Sequence, residues 1–89
     1  MKVEILLNHT SNFIRGYKQG DALQSAYILP EWPEAPILQT LGEMFHIFNM
    51  EHPADYRHRS LSVGDVVRVD GKAYSCEGVG WKRQEVLDV

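Results

Sequence analysis

The stretch Tyr56–Trp81, YRHRSLSVGDVVRVDGKAYSCEGVGW, decides the fold. At its centre Asp70-Gly71 stands between two β-branched and aromatic runs. This dipeptide suits a two-residue hairpin turn, because both central positions must accept positive φ. The turn sets the register, pairing Val69 with Lys72, Val67 with Tyr74 and Asp65 with Cys76. Residues paired across an antiparallel ladder share a face, so Val67, Val69, Tyr74 and Cys76 line one side, the core side. Arg68, Asp70 and Ser75 take the other. Turn chemistry and side-chain alternation agree, which predicts a C-terminal β-hairpin over 65–77. Upstream, Leu61 and Val63 approach the strand pattern and Gly64-Asp65 make a tight turn or bulge. Downstream, Gly78-Val79-Gly80-Trp81 forms a flexible corner, and Gln84–Val89 reads as a last strand.

Outward from this hairpin, Val3, Ile5 and Leu7 alternate with polar neighbours and predict a first strand. Asn8–Asn12 is a turn cluster of side chains that bond local backbone. Phe13–Tyr17 fits a short strand or a single turn equally well. Leu23–Leu29 predicts a second strand, after which Pro30, Pro33 and Pro36 hold the chain extended. Pro36 suits the first position of a helix running to Phe48. At 100° per residue Ile37, Leu38, Leu41, Met44, Phe45 and Phe48 fall within an arc of about 120°, a core-facing stripe, with Gln39, Glu43 and His46 opposite. Met50–Arg59 lacks a period and reads as a loop. The order predicts one α+β domain, 1–89: a small, mostly antiparallel sheet with one main helix, about 36–48, packed on it. A small curled half-barrel is the alternative.

The chain has 89 residues, net charge −3 and 44% apolar side chains, ordinary values for one small globular domain. No apolar run reaches the ~18 residues of a membrane span. Met1-Lys2-Val3-Glu4-Ile5 carries mixed charge where a secretory leader has its apolar centre. The single cysteine, Cys76, excludes an internal disulfide framework and fits a reducing compartment, so a cytoplasmic location is expected. Within its strand pattern Cys76 reads as a small buried hydrophobe. Charge is uneven: residues 1–56 balance to −4, residues 57–83 to +3 and the last six to −2. Asp65, Asp70 and Glu77 interrupt the basic segment, which argues against a broad phosphate-binding face.

His9, His46, His52 and His58 show no metal-ligand spacing, so no metal and no cofactor is expected. Ser60 and Ser62 lack a nucleophile elbow, and Gly78 and Gly80 do not open a helix as a phosphate loop does. One constellation remains as a candidate binding site: Arg57, His58, Arg59 and Ser60, with Ser62, Lys82 and Arg83 nearby and Trp81 at the corner. Arginine forks and hydroxyls hold a carboxylate or phosphate. Alternatively, Arg59 ties its loop to Asp55 or Asp65 while the serines cap the turn. Trp81 is either an exposed binding aromatic or a plug at the open end of the sheet.

Taken together, Phe45-His46-Ile47-Phe48-Asn49, His52-Pro53, Arg59-Ser60-Leu61-Ser62-Val63-Gly64-Asp65-Val66-Val67, Asp70-Gly71, Tyr74, Cys76 and Gly80-Trp81 resemble the YodL-like group of small bacterial proteins. The resemblance runs from about Met44 to Trp81. His58 takes a position at which similar sequences often carry Asn. The resemblance implies a plasmid, conjugative-element or phage setting and supplies no biochemical activity. With no catalytic set in view, the expected function is that of a small accessory protein that binds a protein partner. Weak nucleic-acid or nucleotide binding through the basic 57–83 segment is the alternative, with Tyr56 and Trp81 stacking. An enzyme working on a phosphorylated or acyl substrate is a third reading. It requires a pocket lined by Arg59, Ser60 and Asp65.

Overall fold

The computed structural model describes residues 1–10 and 15–85. Five strands and one helix follow in the order β1 (Val3–Asn8), β2 (Leu23–Leu29), α1 (Ile37–Met50), β3 (Val66–Val69), β4 (Lys72–Cys76) and β5 (Trp81–Gln84). The strands form one antiparallel sheet in the order β2-β1-β3-β4-β5, with α1 on one face, so the domain is α+β.

The hairpin forms in the register that Asp70-Gly71 demands. Val69 pairs Lys72 and Val67 pairs Tyr74, while the Cys76 amide donates to the Asp65 carbonyl at 2.8 Å. Asp70 and Gly71 have φ of 48° and 83°, the left-handed pair of a type I′ turn. The Lys2 amide donates to the Asp70 carboxylate (2.8 Å) and the Asp70 amide to the Lys2 carbonyl (2.9 Å), so the turn is also tied to the start of β1.

β1 is an interior strand, between β2 and β3, and this accounts for its composition. Val3, Ile5 and Leu7 enter the main core with Val67, Val69, Leu41, Met44 and Phe48. Leu6 turns the other way and meets Val66, Ala73 and Tyr17 in a smaller cluster. A strand covered on both faces loses polar alternation. β2 occupies the predicted span of residues and is an edge strand. Its register shifts opposite Ile5/Leu6, leaving Ala26 as a bulge.

The helix takes its expected place, beginning after Pro36, whose extended ψ of 142° makes it the N-cap residue, and ending at Met50. Two expectations are corrected, the first of them on this helix. Its buried face is turned relative to the predicted arc: Leu38 is 70% and Phe45 41% exposed, while Thr40 is fully buried. Ile37 packs against the core as expected, and Ile47 joins it from outside the predicted arc. Trp32 also packs on the core and lines a groove with Glu43 and Ile47 on that flank. Finally, Trp81 opens β5 instead of ending a corner, because a tight turn already returns the chain: the Glu77 amide donates to the Gly80 carbonyl at 2.9 Å. The Phe13–Tyr17 and Gln84–Val89 segments extend into 11–14 and 86–89, outside the described residues.

Candidate functional site

The loop after α1 carries most of the predicted site, and local chemistry explains its path. Asn49 donates to the Phe45 and Leu61 carbonyls, at 2.8 and 3.0 Å, holding the far end of the loop against the helix terminus. Tyr56 is buried among Phe48, Tyr27, His52 and His58, with ring centroids 5.0–6.0 Å apart. Its hydroxyl donates to the Arg59 carbonyl at 2.6 Å. Tyr56 therefore fixes the backbone immediately before Ser60.

Arg59 turns inward. Its two terminal nitrogens reach the two Asp65 oxygens at 2.7 Å each, a bidentate pair, and also donate to the carbonyls of Ser60 and Asn8, both at 3.0 Å. Asp65 is completely buried and accepts two further backbone donors, Ser62 N at 2.7 Å and Asn8 N at 2.8 Å. Four donors use the carboxylate's acceptor sites, so it is not placed to take a proton from a substrate. Of the two carboxylates the sequence offered to Arg59, Asp65 is the partner. Asp55 instead accepts from the Tyr27 hydroxyl at 2.7 Å.

The sequence does not announce how far this network extends. Asn8, read as a turn residue, is buried at the end of β1, and its side-chain amide donates to Gly64 O and Asp21 Oδ2, both at 2.9 Å. Asp21 is in turn gripped by Arg15 at 2.9 and 3.0 Å. The Arg15 guanidinium beside it holds the Asp21 carboxyl well below the usual carboxylate range, with Lys18 N and Asn8 adding hydrogen bonds. Two arginine–aspartate pairs are thus bridged through one asparagine. The only local signal is a polar Asx cluster directly after an apolar strand.

The other predicted residues are dispersed. Arg57 donates to the carbonyls of Ala54 and Tyr56, and His58 stacks on the outer side of Tyr56. Ser60 is exposed beside the Arg59 guanidinium. Trp81 lies on β5 opposite Cys76, half-buried against the main core. Arg83, two residues on, stands 5.7 Å over the Tyr74 ring. Of the six basic side chains in 57–83, Arg57, Arg59 and Arg68 bond internal acceptors, Arg68 through Glu4 at 2.6 Å. Burial pushes the Cys76 thiol up to about 11, away from thiolate chemistry. Among the described residues no group of three metal-ligating side chains occurs, and no helix is long and apolar enough to cross a membrane.

What the surface does offer is apolar. Leu38 and Phe45 stand out from one flank of α1, and Val79 at the β4–β5 turn is 96% exposed. On the opposite flank a groove of about 440 Å³ runs between Trp32 and Gln39, Gly42, Glu43, His46 and Ile47. No curated protein and no solved structure gives a significant match to the chain. The family model described as YodL-like domain matches residues 11–84, which span the helix, the Arg59–Asp65 loop and strands β2 to β5. By that match the chain belongs to the YodL-like domain family.

Proposed function

We propose that this domain is a non-catalytic interaction module that binds a protein partner, acting in the cytoplasm as an accessory of a plasmid, conjugative element or phage. The supporting observation is the placement of Leu38 and Phe45, 70% and 41% exposed on one flank of the only helix among the described residues. Exposed large apolar side chains on one helix flank suit a contact surface. The bidentate Arg59–Asp65 pair is meanwhile bonded within the fold. The mobile-element setting comes from the resemblance in the Arg59–Val67 segment. The test is capture of a partner from the native host by the wild-type chain and by a Leu38→Ser/Phe45→Ser variant, whose changed positions are exposed and leave the core intact. Wild type retains a discrete protein that the folded variant loses. Retention of the same protein by the variant overturns the assignment to this flank.

Nucleic-acid binding is the second reading, favoured by Arg83 stacked on Tyr74 next to Trp81. It predicts oligonucleotide affinity that falls steeply with salt. No binding at about 50 mM salt ends it.

A further inference from the structure

The open edge of β5 has a chemistry of its own. In an antiparallel ladder, residues alternate between pairs that exchange hydrogen bonds and pairs that direct N–H and C=O to the opposite sides. Cys76 directs its groups towards β3: its N–H donates to Asp65 O, and its carbonyl accepts from Gly64 N, both at 2.8 Å. Its β5 partner, Trp81, therefore directs N–H and C=O to the open edge, and so by alternation does Arg83, the partner of Tyr74. Lys82 and Gln84 use theirs on β4. Among the described residues β5 has a neighbour on one side only. Among the described residues the edge thus presents four backbone groups with no strand partner, all belonging to Trp81 and Arg83.

The side chains of the same two residues share the helix-bearing face. Trp81 packs on the core that α1 covers. Trp32, on the β2 side of the sheet, borders Glu43 and Ile47. At 100° per residue Leu38 and Phe45 emerge on the flank of α1 away from Ile47. The β5 edge carries the half-buried Trp81 on the helix-bearing face, and Lys82 and Arg83 with no acidic residue within the strand.

Two copies of β5 do not suit each other: antiparallel self-pairing through Trp81 and Arg83 sets Lys82 opposite Lys82, a like-charge pair. A strand carrying carboxylates meets no such penalty. Glu85 already places an exposed carboxylate 3.6 Å from Arg83, the position such a group would take. At the other edge, β2 is interrupted by its bulge and followed by Pro30, and it has no charge with which to select a partner.

We propose that β5 is a strand-addition site for an extended acidic peptide segment of a partner protein, an inference that rests on the protein-binding reading above. An antiparallel segment bonds the N–H and C=O of Arg83 and Trp81. It places one carboxylate opposite Arg83, a second opposite Lys82, and next an apolar side chain opposite Trp81, against the indole. In chain order the recognised pattern is acidic, acidic, apolar.

The probes are three synthetic ten-residue peptides on a common background: one with Glu-Glu-Leu at its centre, one with Lys-Lys-Leu and one with Glu-Glu-Ser. They are titrated into the full chain while backbone amides are followed by NMR and hydrogen exchange. In the free chain the Trp81 and Arg83 amides exchange faster than those of Lys82 and Gln84; with Glu-Glu-Leu bound, those two become protected. A K82E/R83E variant, changed only at exposed positions, weakens that peptide by about tenfold and favours Lys-Lys-Leu. Replacing Leu by Ser in the peptide also weakens binding. Absence of Glu-Glu-Leu binding, or binding that leaves the Trp81 and Arg83 amides unprotected, overturns the proposal. If the amide changes fall at the Trp32 groove or the Leu38/Phe45 flank alone, protein binding stands and strand addition fails. If an oligonucleotide protects these amides and no peptide does, both readings fail.

Discussion

Replacing Asp65 by Ala tests the framework on which the whole loop depends. The substitution removes both oxygens that Arg59 grips at 2.7 Å, and it removes the acceptors of the Asn8 and Ser62 amides. Losing one partner of a buried pair costs about 3–5 kcal/mol. The Arg59 side chain is 33% exposed, so water recovers part of its solvation and the lower end applies. Each orphaned amide adds about 1 kcal/mol unless water enters. A total of about 3–5 kcal/mol is expected, the lower figure if water reaches both amides, a large share of the roughly 4–13 kcal/mol that stabilises a chain of this length. Converted at about 4–8 °C per kcal/mol, the thermal midpoint falls by roughly 12–40 °C. The assay is urea unfolding followed by circular dichroism, with Asp65→Ala, Arg59→Ala and the double variant forming a cycle. A coupling of about 2 kcal/mol marks the pair as one unit. A loss below about 1 kcal/mol, or strict additivity in the double variant, refutes the argument that this pair holds the loop.

Three further outcomes follow from the same geometry. Asp21 has its folded-state pKa lowered by Arg15, so its contribution is complete above the unfolded value of 3.8 and is lost as pH falls through the folded one; urea midpoints of wild type and Asp21→Asn should differ at pH 7 and converge towards pH ~2, and a constant gap would contradict the linkage. Thr40 is fully buried and its hydroxyl has no hydrogen-bond partner among the described residues; Thr40→Val keeps the shape, removes the unsatisfied group and should stabilise by about 1 kcal/mol in urea, so a loss of stability would show that the hydroxyl is satisfied. Cys76, buried with its thiol pushed up to about 11, should resist a disulfide reagent at pH 8 until urea unfolds the chain; rapid labelling of the folded protein would count against its burial.

Recognition from the sequence succeeded where the causes were local. Asp70-Gly71 fixes a turn, and a turn fixes the register of the strands it joins, so the hairpin pairing followed from a dipeptide. The span of β2 was equally legible from its run of apolar and aromatic residues between turn signals. The candidate site was legible only in part. Arg59 stood out, but two aspartates competed for it, and the choice depended on where β1 ends. Asn8 supplies an amide to Asp65 and a carbonyl to Arg59 from 57 and 51 residues away in sequence, which no spacing rule detects.

The sequence by itself determined the class of fold, the helix, the hairpin with its register and the absence of any long apolar run, because each depends on neighbours within a few residues. The tertiary structure decided the rest. It turned α1 so that Thr40 and Ile47 face inward while Leu38 and Phe45 stay out. It made β1 an interior strand and assigned Arg59 to Asp65. It also left β5 at an edge with the backbone groups of Trp81 and Arg83 turned outward. Each of these depends on which distant segments share a face or an edge, and a one-dimensional pattern does not encode that choice residue by residue.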